Sequence, residues 1–228
     1  MNNLSKTALA ISFALGLAAC GGSSSDKTVT PPPPPPEPVK TVVDGKAIKG
    51  TMINAVVTVY KFVDGAPVAL TDAEFTDAQL STDDKGNYSF TLLDYNGPVK
   101  VELSPSTDAA NPTTMICDAP LGCGPAAFGE SINLTETDPD FKLSAITLVD
   151  ENSNGAVKTN VSALTYLAAQ LIENDSDGVN ASSVQQHSST IANAFRIEGS
   201  LTNLEPTAVE NAANAAAEDN ANELRYGL

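Results

Sequence analysis

The chain has no tryptophan, one histidine, three cysteines, and 12 basic residues against 28 acidic ones in 228. Each shortage excludes a class of function. A single histidine cannot build a multi-histidine zinc or iron centre, and three cysteines offer no alternative soft-ligand cage. A formal net charge of −16 with no basic cluster repels a phosphate backbone, which excludes nucleic acid as a partner. No apolar run reaches the ~20 residues that a helix needs to cross a bilayer. No G-x-S-x-G elbow is present, and Ser188 and Ser189 lie beside His187 on one expected helix, so no enzymatic activity is expected.

What is present begins with an address. Residues 1–19 place Lys6 before an apolar stretch from Ala8 to Leu17 and end in small residues, the pattern of a cleaved secretory signal. Leu17-Ala18-Ala19-Cys20, followed by Gly21-Gly22, resembles the lipobox of bacterial lipoproteins. That resemblance implies that Cys20 is acylated and becomes the new N-terminus, so the membrane is a partner through lipid and is not spanned. Gly21 stands where the inner-membrane retention signal of enterobacterial lipoproteins has Asp, which points to the outer membrane, facing either the periplasm or the outside. Residues 20–40 then form a linker that holds seven of the fifteen prolines. Pro31 to Pro36 favour polyproline II, a stiff spacer of roughly 20 Å.

Residues 41–149 read as short β-branched runs separated by Gly, Pro, Asn and Asp, the pattern of strands and turns. Ala55 to Phe62 is an expected strand with Val57 and Val59 on one face, closed by a turn at Asp64-Gly65. Asn87 to Leu92 and Pro98 to Leu103 alternate with period two, the second placing Val99, Val101 and Leu103 inward. Asn96-Gly97 between them signals a hairpin. The expected fold class is mainly β with α: an antiparallel β-sandwich followed by a small helical region at residues 150–228.

Gly50-Thr51-Met52-Ile53-Asn54-Ala55-Val56-Val57-Thr58-Val59, followed by Ser81-Thr82-Asp83-Asp84-Lys85-Gly86-Asn87-Tyr88-Ser89-Phe90, resembles the carboxypeptidase regulatory-like (transthyretin-like) domain and its collagen-binding B-type relatives. In that pattern Asp83 or Asp84 caps the turn, Gly86 takes positive φ, and Tyr88 and Phe90 enter the core. The resemblance implies folding support, adhesion or spacing. Two departures stand out: an insertion from Asp72 to Gln79, and a long Pro- and Cys-containing segment after Pro98.

With Cys20 assigned to lipid, Cys117 and Cys123 remain as an even pair in an exported chain, which implies a disulfide. A redox pair would sit closer, at C-x-x-C. Asp150-Glu151-Asn152-Ser153-Asn154-Gly155 matches the first half of a calcium loop, with Asp150, Asn152 and Asn154 supplying oxygens. The position that calls for a bidentate Glu is Val161. Calcium and a plain turn both stay open, as they do for the weaker echo at Asp175-Ser176-Asp177-Gly178. No other cofactor is expected. Asp138, Asp140 and Asp150 could pair as glycosidase carboxylates, a pattern that acid density makes commonplace.

After Asn160 the period becomes helical. Val161, Leu164, Leu167, Ala168 and Leu171 form an apolar stripe, a second helix spans Ala181 to Arg196, and a third starts near Pro206. The third is poor in large apolar residues, so it needs tertiary partners, either on a partner protein or in a longer chain of which this is the N-terminal part. The functional expectation is a membrane-anchored envelope lipoprotein acting as a non-enzymatic adhesion, spacer or scaffold module. The alternatives are a glycan- or calcium-binding protein, or an accessory N-terminal portion of a larger surface hydrolase.

Overall fold

The computed structural model describes residues 37–205, apart from Lys49 and Pro120. The signal, Cys20, the proline tract and the third expected helix lie outside the described residues. In chain order the elements are β1 (Lys40–Ile48), β2 (Met52–Ile53), β3 (Val56–Val63), β4 (Ala66–Ala69), β5 (Phe75–Gln79), β6 (Asn87–Leu93), β7 (Gly97–Ser104), β8 (Thr114–Ile116) and β9 (Ser131–Asn133). There follow α1 (Leu134–Thr137), β10 (Leu143–Val149), β11 (Ala156–Lys158), β12 (Val161–Ser162), α2 (Ala163–Glu173) and α3 (Ala181–Ala194). Two 3-10 turns, Glu151–Ser153 and Leu201–Asn203, complete the described chain.

The protein is mainly β, with two principal sheets that share one core. The first has the order β11-β1-β6-β5, with β12 also on β1; the second has the order β10-β7-β3-β4. Alternation decides which side chains fill the space between them. Val57 and Val59 from β3, Tyr88, Phe90 and Leu92 from β6, and Val99, Val101 and Leu103 from β7 are all buried in a single cluster, as their period-two spacing requires. Asp64 and Gly65, both at positive φ, close the β3–β4 hairpin in two residues.

The signature turn also forms. Asp83 Oδ1 accepts the N–H groups of Lys85 at 2.9 Å and Asn87 at 2.7 Å, Oδ2 accepts from Asn87 Nδ2, and Gly86 sits at φ 77°. Burial pushes the Asp83 carboxyl up, but the hydrogen bonds from Asn87 and Lys85 outweigh it and hold it below its ordinary value.

Two local expectations fail, and the two departures from the family pattern become strands. Asn96-Gly97 is not a hairpin: β6 and β7 lie in different sheets, and this link carries the chain between them. Pro98, which follows it, has no N–H with which to close a two-residue hairpin. The Asp72–Gln79 insertion supplies β5, the strand that flanks β6 at the sheet edge. The Pro- and Cys-containing segment builds a third small sheet, β2-β8-β9, whose Met52, Met115 and Ile132 join the main core. Val161 opens no helix: it lies in β12 opposite Ala47, because the segment after residue 150 first pairs with β1 in parallel.

The apolar stripe of α2 is rotated from its expected phase as well. The inward residues are Thr165, Ala168, Ala169 and Ile172, whereas Leu167 and Leu171 stay 44% and 40% exposed. The Thr165 hydroxyl donates to the Ser144 carbonyl at 3.0 Å, and the two alanines allow close packing. A Ser162–Thr165 capping box starts this helix, and an Asn180–Ser183 box starts α3.

Gly45 marks the tightest backbone approach in the first sheet. A Cβ there would collide with the Thr159 carbonyl and stand 2.7 Å from the Tyr88 hydroxyl oxygen. Gly45→Ala is expected to cost about 3 kcal/mol of stability, the upper part of the range for overpacking, in urea unfolding followed by circular dichroism. A loss below about 1 kcal/mol would show that this approach is readily relaxed.

Candidate functional site

Strand parity shows which backbone groups the second sheet leaves open. On β3, the Val57 N–H donates to the Leu80 carbonyl and the Val59 carbonyl accepts from Leu70, so the odd residues of β3 point away from β7. The even residues of β3 therefore bond to Lys100 and Glu102 on β7, which leaves Val99, Val101 and Leu103 to bond to Thr147, Ala145 and Leu143 on β10. The even residues of β10 face outward. The Ser144 carbonyl is taken by Thr165, and beyond it the N–H and C=O of Ile146 and Leu148 meet no hydrogen-bond partner among the described residues.

That open edge looks into a cleft of about 1030 Å³. One wall is α3, held against α2 by packing of Val184 on Ala169 and Ile172 and by the nearby Ala168–Ala192 contact. The other is residues 197–202, tied down where the Ile197 N–H reaches the Ala192 carbonyl and where the Asn160 N–H reaches the Thr202 carbonyl at 2.7 Å. The walls carry neutral donors and acceptors, among them Ser182, Gln185, Ser188 and Asn193. Asp150 and Glu198 add negative charge, and no basic residue is among those that line the cleft. Such a surface can hydrogen-bond a polar chain and repels anions.

The residues singled out from sequence fall in several places. Cys117 and Cys123 form a disulfide, with Cα atoms 5.7 Å apart, and close the loop that joins β8 to β9. Asp150, Asn152 and Asn154 come together in one turn at the mouth of the cleft. There Asp150 Oδ1 accepts from the Asn152 N–H at 2.9 Å and from the Ser153 hydroxyl, and Asn154 adopts φ 48° while its Nδ2 donates to the Asn152 carbonyl. Among the described residues, no group of three His, Cys, Asp or Glu side chains converges. Asp150 stands at one end of the seven-residue β10, with Asp138 and Asp140 beyond the other. Asp150 is therefore about 20 Å from the other two acids, too far to pair with either as a glycosidase would need.

His187 is half-buried and paired: its Nε2 lies 2.6 Å from Asp175 Oδ2. Asp175 Oδ1 accepts from the Asp177 N–H. The Asp177 N–H first, and then His187, hold the Asp175 carboxyl below its ordinary value, and the His187 contact clips this turn to α3.

Sequence reading missed the charged cluster under α2. Lys100, 8% exposed, contacts Glu173 at 2.7 Å and Glu102 at 3.3 Å, with the Tyr60 ring centroid 5.7 Å away. Burial would lower its pKa, but the two glutamates raise it above the ordinary lysine value. Alternation with Val99 and Val101 places Lys100 on the outer face of its sheet. Nothing local announces Glu173, which arrives from another element. A smaller hollow of about 230 Å³ lies beside β1 and β6, lined by Asp44, Lys46, Gln79 and the ion-paired Lys158 and Glu205.

Replacing Cys117 and Cys123 by Ser is expected to lower stability by about 2 kcal/mol, the loop-closure contribution of so short a ring, measured by denaturant unfolding under oxidising conditions. His187→Ala is expected to move the Asp175 titration midpoint upward in carboxyl NMR while leaving it below the ordinary value, because the Asp177 N–H remains. A folded value below the unfolded one means that the clip stabilises above the ordinary carboxylate range and weakens as pH falls through it. An unmoved midpoint would remove the histidine from this role. No protein-family model matches the chain, and no match is found among curated proteins or among solved structures.

Proposed function

We propose that the protein is a lipid-anchored lipoprotein of the bacterial outer membrane whose stalked β-rich body acts as a non-enzymatic adhesion, spacer or scaffold module. The order of the chain carries this reading. Leu17-Ala18-Ala19-Cys20 is followed by Pro31–Pro36, and from Lys40 onward by a β-rich body closed by a disulfide, a bond that persists in exported proteins. Lipid at Cys20 gives attachment, and the proline tract gives distance from the bilayer. No helix among the described residues is long and apolar enough to cross a membrane, so attachment in this reading falls to the lipid.

A non-enzymatic role is supported by how the reactive groups are used. His187 is committed to Asp175, and Asp83 and Asp150 spend their oxygens within their own turns. The transthyretin-like reading of the sandwich is supported by the way the two motif segments meet. The Ala55 N–H donates to Thr82 Oγ1 at 2.8 Å, the Thr82 N–H donates to the Ala55 carbonyl, and the Asn54 N–H donates to the Thr82 carbonyl.

Expression of Cys20→Ser in a Gram-negative host tests the anchor. Loss of palmitate labelling and a shift from the detergent phase to the aqueous phase are expected. Unchanged labelling and partitioning would overturn the lipoprotein reading.

A further inference from the structure

Among the described residues the two principal sheets leave four edges, and three of them are blunted. The β4 edge carries Pro67, opposite the non-bonded Phe62, so the missing N–H is one that would have faced outward. The β5 edge is broken by an irregularity between Thr76 and Gln79, with Asp77 at φ 50°. The β11 edge is only three residues long and ends in Lys158. The fourth, β10, reads LSAITLV, without proline, charge or bulge. Its first outward carbonyl is covered by Thr165, and past its end the Asp150 N–H is taken by the Ser153 hydroxyl. Between these stops, the N–H and C=O groups of Ile146 and Leu148 have no partner among the described residues, and both residues line the cleft.

We propose that the β10 edge at Ile146 and Leu148, together with the wall of α3 and residues 197–202, docks an extended, positively charged segment of a partner protein, which adds to the second sheet as a short fifth strand. Outward groups two residues apart repeat about every 6.8 Å along a strand. An extended polypeptide carries alternating donors and acceptors at that repeat, and strand addition uses them directly. Ile146 and Thr147 are almost wholly buried and line the cleft, so this stretch of β10 forms its floor.

Charge fixes the sign of the partner. Asp150 and Glu198 line the cleft with no basic residue among the lining groups, and the chain as a whole is at −16. A second copy of this chain would bring the same acids face to face. Sugar hydroxyls can bond to serine and asparagine but do not reproduce the strand repeat. The docking site belongs to the folded body and does not depend on lipid at Cys20.

The test uses the full chain and a short acetylated peptide of alternating lysine and valine. Binding is read by fluorescence anisotropy, and backbone amide exchange is read by NMR. Saturating peptide is expected to slow exchange at Ile146 and Leu148 by at least about tenfold. The same peptide N-methylated at alternate residues, which removes its edge donors, is expected to bind at least about tenfold more weakly. Replacing its lysines by glutamate should weaken binding similarly.

Ser188→Trp should block the cleft with an unchanged melting temperature, and the N-methylated peptide gives the answer even if that variant is poorly folded. The proposal is overturned by any of four results. These are unaltered exchange at both amides, equal binding of the N-methylated peptide, protection of the two amides by a chitin-type oligosaccharide in place of the peptide, or protection that rises with the protein's own concentration.

Discussion

The structure depends on how β1 is held from its C-terminal side. It pairs with β6 along one edge and, along the other, in parallel with β11 and then β12, so its second partner comes from residues about 114 positions later. Between β11 and β12 the chain jogs at Thr159 and Asn160. The jog is possible because Gly45 has no side chain, which lets the Thr159 carbonyl come close enough to accept the Tyr88 hydroxyl across the strand. Burial raises the Tyr88 pKa far above the ordinary range, so the hydroxyl remains a donor at any working pH. Asn160 replaces the missing strand neighbour: its Oδ1 accepts the Lys46 N–H at 2.9 Å, and its Nδ2 donates to the Leu204 carbonyl at 2.9 Å. The jog has a cost, since the Thr159 hydroxyl is buried without a partner among the described residues, an expense of about 1–3 kcal/mol.

This closure determines where the polar cleft lies. Ser162 ends β12 and caps α2, so the direction of the first long helix is set by a strand residue already paired to Ile48. α2 then covers the start of the β10 edge through Thr165, and α3 is laid beside it through Val184 and Ala192. Residues 197–202 are drawn back to the Thr159–Asn160 jog through Thr202. Both walls of the cleft are therefore fixed to the same closure as the sheet, and the open groups of Ile146 and Leu148 lie between rigid elements. A contact made over such a sequence distance carries a large loop-closure cost, which the packing of both walls must offset.

What could be read from sequence divides along the same line. The inward faces of β3, β6 and β7, the Asp83–Gly86 turn and the Cys117–Cys123 bond were legible, because period-two alternation, turn chemistry and cysteine parity are local or compositional signals. Asn96-Gly97 misled because its usual meaning requires the next residue to donate a hydrogen bond, and Pro98 cannot. The α2 stripe misled because leucines outrank alanines on any hydropathy count. The helix buries its small residues, since Thr165 must approach the Ser144 carbonyl closely. The open edge of β10 was invisible, because its composition does not say which neighbour stops short of it.

The acidic surplus also has a structural use that composition alone does not reveal. Asp83, Asp108 and Asp175 each accept backbone N–H groups within two to four residues, and hydrogen bonding holds all three carboxyls below their ordinary values. Asp94 and Asp118 accept backbone N–H groups over longer range, from Val39 and Gly50. A carboxylate that accepts such bonds needs no cation, so turns can be built from acids with little lysine or arginine nearby to neutralise them. The uncompensated charge is left facing solvent. Like charge opposes the approach of a second copy, and a neutral protein with so unblunted an edge as β10 would run a greater risk of edge-to-edge pairing. The same field that opposes a second copy at that edge favours the cationic strand proposed for it.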